Sequence, residues 1–582
     1  MRRHVKTFFR ASAQVLLAVC ISAPLIMIVQ GMRSPGHRTL HVLCTNDVHG
    51  AWFDSSYVGG GLQTSLQNVS WYVDSIRKAE GAGNVLLLDA GDCLQGDGAA
   101  FYYNFVDTLT THLYVRMAKY MAYDAIVVGN HDIETGHKVY DRVSSLMSKF
   151  GIAYLAGNTP TPDGSPYFQE YKLFRRAGMK VLVLGYTNAN IKNWLGEEKW
   201  RGMDFSSLLP LVQERVDAIR RKTKPDVVIV AVHSGTGEGN GLVLENQGLD
   251  LFNSLRGVDL VVCAHDHRQY TCMNDSIALV NSGKKASFIA HAEICAGGKN
   301  RGKVKSTGLL KVRTDREDSR MVSKFYPDFL KVKEYVNRKV GRLDTELRTS
   351  DAYVGMSDYM NFIHSVQLKY SGADISFAAP LTYNGIVKSG DVVFQDLTTI
   401  YPFENLLYKI ELKGSQIKNY LECSYDSWIG GDSSHILNVI ETPDTKSGWS
   451  FVGRSYNFDS AAGIVYEVWA EKPFGQRIKI VSMADGTAFD PAAVYSVAVT
   501  SYRSSGGGGL LVNGAGVPAE KLDAIVVARY PDIRELVNDY FNEYGTVDSA
   551  LAGDRSVIGH WSFEPASVRE QIVKDKEILF GK

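Results

Sequence analysis

Six short apolar runs constrain this chain more than any other feature. Leu40–Cys44, Val85–Asp89, Ala125–Val128, Val181–Tyr186, Val227–Val232 and Leu260–Cys263 are rich in Val, Leu and Ile, the pattern of strands buried on both faces. Between them, Leu62–Lys78, His137–Phe150 and Leu208–Arg221 show helical spacing. The alternation predicts an α/β domain with helices flanking its sheets. At 582 residues the chain has length for two or three domains, and its 45% hydrophobic, 22% charged composition is ordinary globular.

Five of the six runs end in residues that bind metals. Thr45-Asn46-Asp47-Val48-His49-Gly50 follows the first run and Asp89-Ala90-Gly91-Asp92 the second. Gly129-Asn130-His131-Asp132 follows the third, His233 closes the fifth, and Ala264-His265-Asp266-His267 closes the sixth. The edge at the carboxyl ends of strands is where sites assemble in α/β sheets. Carboxylate and amide oxygens mixed with imidazoles suit two divalent ions of the Zn, Mn or Fe type better than Ca. Period-2 alternation predicts that Asp47 and His49, and likewise His265 and His267, point to one side of an extended segment. Asp92 is placed to bridge two ions. Each motif alone is a common turn or a half-buried histidine; the ordered set is not.

The ends of the chain read differently. Arg2, Arg3, Lys6 and Arg10 precede an apolar stretch over 11–29, the layout of a secretory signal or an uncleaved signal-anchor. The full chain balances 63 Lys+Arg against 63 Asp+Glu, which excludes a strongly basic nucleic-acid-coating protein. Without the basic leader the remainder is mildly acidic. Seven cysteines with no C-x-x-C argue against a disulfide scaffold or a thiolate zinc site. Cys44, Cys93 and Cys263 read as buried thiols, and Cys272 with Cys295 as a possible pair. Lys331–Leu347 reads as a charged connecting helix. Beyond it, strands such as Leu407–Leu412, Ile464–Trp469 and Tyr495–Val499 and the helix Ile533–Tyr544 predict a separate α+β domain. Gly506–Gly509 reads as either a flexible loop or a close backbone approach to a ligand.

The order D-x-H, G-D, G-N-H-D, strand-end His, H-x-H resembles the calcineurin-like metallophosphoesterases. Joined to a C-terminal domain, it resembles the 5′-nucleotidase family, over residues 38–560. The resemblance implies a four-layer sandwich with a separate nucleotide-binding domain. With the leader, charged linker and terminal stretch read along the chain, it divides into 1–33 (signal peptide or signal-anchor), 38–325 (metallophosphoesterase domain), 326–350 (linker helix), 351–560 (substrate domain) and 561–582 (tail). Motif by motif, it implies one ion held by Asp47, His49, Asp92 and His267, and the other by Asp92, Asn130, His233 and His265. His131 matches the catalytic histidine, oriented by Glu134 or, less well aimed, by Asp132.

The substrate branch is read from the second domain. The N-G-G-G-x-R loop of many nucleotidases is absent, its place taken by Ala379-Pro380-Leu381-Thr382-Tyr383-Asn384-Gly385, so Asn384 is a substrate-side candidate. Tyr456-Asn457-Phe458-Asp459 and Thr500-Ser501-Tyr502-Arg503-Ser504-Ser505-Gly506-Gly507 resemble the 2′,3′-cyclic-nucleotide 2′-phosphodiesterase/3′-nucleotidase branch. In that branch two aromatic rings sandwich the base, and Tyr456 and Tyr502 occupy the matching positions. The expectation is an exported, periplasmic or cell-envelope phosphoesterase acting on nucleotides, touching membrane only through an uncleaved anchor and binding no nucleic-acid polymer. A 5′-nucleotidase or nucleotide-sugar hydrolase is the alternative enzyme. A non-catalytic nucleotide-binding surface protein is the alternative of another class.

Overall fold

The computed structural model describes residues 38–581 except 58, 59, 404, 431–433 and 444; the leader at residues 1–33 lies outside the described residues. Twelve strands build the first domain: β1 (Thr39–Thr45), β2 (Val85–Asp89), β3 (Ala125–Val127), β4 (Ala153–Leu155), β5 (Tyr171–Arg176), β6 (Met179–Tyr186), β7 (Val227–Val232), β8 (Leu260–Val262), β9 (Gln269–Met273), β10 (Ala278–Ser282), β11 (Phe288–Cys295) and β12 (Val304–Lys311). They form two six-stranded sheets, ordered β12-β11-β1-β2-β3-β4 and β5-β6-β7-β8-β10-β9.

The strands are apolar on both faces because each sheet is covered twice. Val42, Cys44, Leu86, Leu88 and Val127 of the first sheet meet Val181, Val183, Ile229 and Val262 of the second in one dry layer. Leu43, Leu87 and Ile126 face the outer helices on one side. Leu182, Leu184, Val228 and Val230 face Leu208, Val212 and Val216 of the helix Leu208–Thr223 on the other. The result is a four-layer sandwich. The first predicted helix starts at Leu66, because Ser65 caps it by accepting the Gln67 and Asn68 N–H groups.

Three expectations need correction. The connecting helix runs from Ser319 to Val336, capped by Asp318, and Lys339–Leu343 is a strand paired antiparallel with Gly390–Val393. A run of Lys and Arg with Val at short spacing fits a strand as well as a helix, and pairing on both sides, with Gly390–Val393 and with Thr546–Val547, decided it. The final segment, read as a tail, is built into the second domain. Gly559–Glu564 pairs parallel with Ile464–Trp469, and the helix Ser567–Phe580 buries Val568, Ile572 and Leu579 in the core of the second domain. Cys272 and Cys295 do not pair; they lie in different sheets and both are free thiols.

The second domain centres on a five-stranded sheet, in the order Ser460–Ala462, Ile375–Ala378, Val494–Thr500, Leu406–Lys413, Val526–Asp532. One continuous core joins the two halves: Phe325 and Val336 of the long helix pack in the same cluster as Phe394, Leu397 and Leu536.

Candidate metal centre and adjoining cleft

The site forms where the carboxyl ends of both sheets meet. Asp47 and His49 follow β1, Asp92 follows β2 and Asn130 follows β3 in one sheet; His233 follows β7, and His265 with His267 follow β8, in the other. The D-x-H and H-x-H segments are not extended. Asp47, His49, Asp92, His265 and His267 all have left-handed φ, between 47° and 74°. They are half of the ten non-glycine residues with positive φ among those described. Such backbone costs of order 1–3 kcal/mol per residue and persists where surrounding structure over-determines it, typically at functional sites. Turns, rather than strand alternation, aim these side chains.

Two ligand groups result. Asp47, His49 and His267 form one, and Asp92, His233 and His265 the other. His49 Nε2 lies 2.9 Å from His267 Nε2, with Asp47 Oδ1 at 4.0 and 3.7 Å from the two. The Ala90 carbonyl sits 2.8 Å from His233 Nδ1, so that nitrogen carries the proton. His233 Nε2 then faces Asn130 Oδ1 at 3.0 Å and Asp92 Oδ2 at 3.0 Å. Asn130 Oδ1 also lies 2.9 Å from His265 Nδ1. Lone-pair atoms thus converge on one another in a buried place.

That donor set fits divalent cations. Without a cation, burial pushes the Asp47 carboxyl up to about 8. Burial likewise drives His265 and His267 down to about 3, and His49 well below the usual imidazole range. Burial also opposes protonation of His233, but the Asp92 carboxylate outweighs it and lifts the group to about 9. A neutral imidazole is the ligand-competent form, so a cation would take the place of the His233 proton and favour the ionised form of Asp47.

A second tier of residues fixes the first. Asp132 accepts backbone N–H groups from Gly129 at 2.8 Å, Asp92 at 3.1 Å, Cys93 at 3.0 Å and Leu94 at 2.9 Å. Its whole acceptor capacity is used in tying the β2 and β3 loops together, so it does not orient His131. Glu134 does, by hydrogen bonding to His131 Nδ1. Burial works against charge on His131, yet Asp92 and Glu134 together raise it to about 10. The His131 backbone N–H also donates to Asp92 Oδ1 at 2.8 Å. Gly129 is needed for space: a Cβ there would lie 2.1 Å from Asp92 Oδ1. Asn46 donates to Asp47 Oδ2 at 2.7 Å and to the Gly283 carbonyl at 2.6 Å.

Beside this centre lies a cleft of about 1380 Å³ between the domains, lined by Trp194, Glu245, Arg454, Tyr456, Tyr502 and Gly507 among others. Trp194 stacks on His265, with ring centroids 5.1 Å apart and planes at 20°, so the cleft abuts the metal centre. Tyr456 and Tyr502 are brought together in it; Asn384 is exposed in its loop and is not among the lining residues. Gly507 packs under Tyr502, where a Cβ would sit 2.5 Å from the ring. The glycine run is therefore a built support and not slack.

Sequence reasoning missed the roles of Asn46, Trp194 and the Arg503–Asp459 pair. Arg503 and Asp459 stood inside the quoted segments, next to the tyrosines. Trp194, in the loop after β6, carried no local signal.

A four-layer sandwich with paired His/carboxylate groups at the carboxyl ends of both sheets defines a metal-dependent phosphoester hydrolase. Residues 40–269 match the family model of the calcineurin-like phosphoesterases, and residues 339–513 match that of the 5′-nucleotidase C-terminal domain. The chain belongs to the 5′-nucleotidase family of calcineurin-like phosphoesterases. It is 22% identical to the 2′,3′-cyclic-nucleotide 2′-phosphodiesterase/3′-nucleotidase of Haemophilus influenzae, covering 98% of this chain and 93% of that protein. It is 23% identical to the trifunctional nucleotide phosphoesterase protein YfkN of Bacillus subtilis, over 97% of this chain but only 42% of that protein's length. The putative 5′-nucleotidase of Staphylococcus aureus shares the fold, with a TM-score of 0.75 at 20% identity over 90% of this chain and all of that one.

Proposed function

We propose that this protein is an exported hydrolase of nucleotides, with 2′,3′-cyclic and 3′-nucleotides preferred over 5′-nucleotides. The observation that carries the reading is the juxtaposition of Tyr456 and Tyr502 in a cleft that Trp194 joins to His265. The basic flank and apolar stretch at the amino terminus support export.

Asp47, His49, Asp92 and His267 would hold one divalent ion and Asp92, Asn130, His233 and His265 the other. Bound there, such ions supply Lewis acidity and bring the pKa of water toward neutrality. The protein's own part is positioning and proton transfer. Glu134 engages His131 Nδ1, which leaves the Nε2 proton for the departing sugar oxygen. The same imidazolium balances charge growing on the phosphoryl oxygens. Tyr456 and Tyr502 would take the base between their faces, with stacking worth about 1–3 kcal/mol per base whatever its identity. Arg503 is buried behind them and acts by holding both segments in place.

A parallel turnover panel of 2′,3′-cyclic, 3′- and 5′-nucleotides and a nucleoside-diphosphate sugar, in saturating Mn²⁺, tests the reading. Cyclic and 3′-nucleotides should be hydrolysed fastest. A 5′-nucleotide or the sugar leading the panel would transfer the chain to that activity. No turnover of any of them, with metal bound, would leave a binding protein.

A further inference from the structure

The geometry points to a third metal site, outside the centre described above, in which His41, His291 and Glu293 bind a zinc-type divalent ion that clamps β1 to β11. The antiparallel register sets His41 opposite Glu293 and Leu43 opposite His291. Directly opposed residues share a face, and His291 and Glu293 are two apart, so all three side chains emerge on one side of the sheet. His41 Nδ1 lies 3.0 Å from His291 Nε2, with the rings stacked at 5.3 Å and 28°. One ligand atom from each of the three residues falls within 4.8 Å of the others.

The surroundings match what metal-bound histidines use. His41 Nε2 faces Glu80 Oε2 at 3.7 Å, at the end of the helix Leu66–Glu80, so a carboxylate backs the imidazole whose Nδ1 points at the site. Lys305 Nζ holds Glu293 Oε2 at 3.1 Å and leaves Oε1 available. Burial, helped by His41, pulls His291 down to about 4, which keeps it neutral near pH 7. Two imidazoles and a carboxylate suit Zn²⁺ over Ca²⁺ or Mg²⁺, and the half-buried His291 and Glu293 leave room for water as a fourth ligand. His41 is six residues from Asp47 along β1, about 20 Å at strand rise, so this site does not share ligands with the first two. Its work is structural. It secures the far end of the strand that delivers Asp47 and His49, in a chain whose described cysteines are all free.

The test is bound zinc after equilibrium dialysis of the full chain against Zn²⁺ at pH 7, with thermal denaturation alongside. Wild-type protein should hold one more equivalent than His291→Ala or Glu293→Gln. Asp92→Asn should lose its zinc from elsewhere and keep the part of the zinc-dependent rise in Tm that Glu293→Gln loses. A crystal of the zinc-loaded wild type should show anomalous density at the zinc edge between His41 and His291, which decides the matter even where His291→Ala does not fold. Equal zinc in wild type and Glu293→Gln, or no anomalous density there, overturns the site.

Discussion

Arg503 grips both carboxylate oxygens of Asp459, at 2.7 and 3.0 Å, while the same guanidinium donates to the Tyr456 carbonyl at 2.7 Å and the Gly507 carbonyl at 3.0 Å. The pair is buried, and it joins the segment carrying Tyr456 to the segment carrying Tyr502. Tyr420 adds a third hold, donating to Asp459 Oδ2 at 2.5 Å. Removing one partner of a buried ion pair strands the other charge, at about 3–5 kcal/mol. Asp459→Asn should therefore lower Tm and raise KM for nucleotides together. A variant with unchanged denaturation and unchanged KM would remove the pair from the cleft's architecture.

Tyr502→Ala separates base recognition from phosphoester chemistry. Loss of one stacking face should raise KM for nucleotides about 5- to 150-fold, from about 1–3 kcal/mol. KM for p-nitrophenyl phosphate, which offers no nucleobase, should move far less. Equal shifts for both substrates would show that Tyr502 does not clamp the base.

His131→Asn should cut kcat about 10²- to 10⁴-fold on nucleotides, where a sugar alkoxide must be protonated as it leaves. On a p-nitrophenyl ester, whose leaving group needs no proton, the loss should be clearly smaller. Glu134→Gln keeps an acceptor for Nδ1–H and should fall between wild type and His131→Asn. Identical losses on both ester types would assign His131 to charge stabilisation alone.

Asp132→Asn tests the loop anchor. Each carboxylate oxygen takes two backbone N–H groups, so an amide NH₂ in place of one oxygen sets donors against donors. Mn²⁺ affinity should drop about 10- to 100-fold, as for other supports of metal ligands. Isothermal titration giving wild-type affinity would mean the loops hold themselves.

His364 supplies a pH signature away from the metals. It is buried between Ser376 Oγ at 2.9 Å and Ser460 Oγ at 3.2 Å, and burial pulls it down to about 3. Its folded pKa lies below the unfolded value of about 6.5. The unfolded chain therefore binds the extra proton, and the stability present above pH ~6.5 is lost as pH falls toward 3. That contribution has a slope of about 1.4 kcal/mol per pH unit. His364→Gln should flatten the acid limb of a stability-versus-pH curve measured by urea denaturation. An unchanged limb would show that His364 does not titrate in this window.

The apolar runs and the ligand-type residues behind them were legible because both are local. A strand buried on two faces is apolar throughout, and the Asp, Asn and His residues that follow these strands are visible in sequence whatever lies elsewhere. Glu134, which the resemblance pairs with His131, hydrogen-bonds to His131 Nδ1. Local reading failed where a segment's state depends on a distant partner. Lys339–Leu343 is a strand because Gly390–Val393 is there to pair with it, and the helix Ser567–Phe580 turned to the second domain because its apolar face fits that core. Asp132 looked like a partner for His131, and only the four N–H groups from two loops show it to be an anchor.

The sequence alone determined which side chains are of metal-ligand type, which of them follow a strand, and that aromatic and glycine residues lie together in the second domain. The tertiary structure decided how they meet. It assigned β1, β2 and β3 to one sheet and β7 and β8 to another, and so made one metal centre from two edges. It bent D-x-H and H-x-H through left-handed turns, where sequence periodicity predicted extension. It set Trp194 against His265 and the second domain's tyrosines across the same cleft. The physical reason is that ligand type is a property of single residues, whereas convergence is set by sheet packing and domain contact between residues hundreds of positions apart.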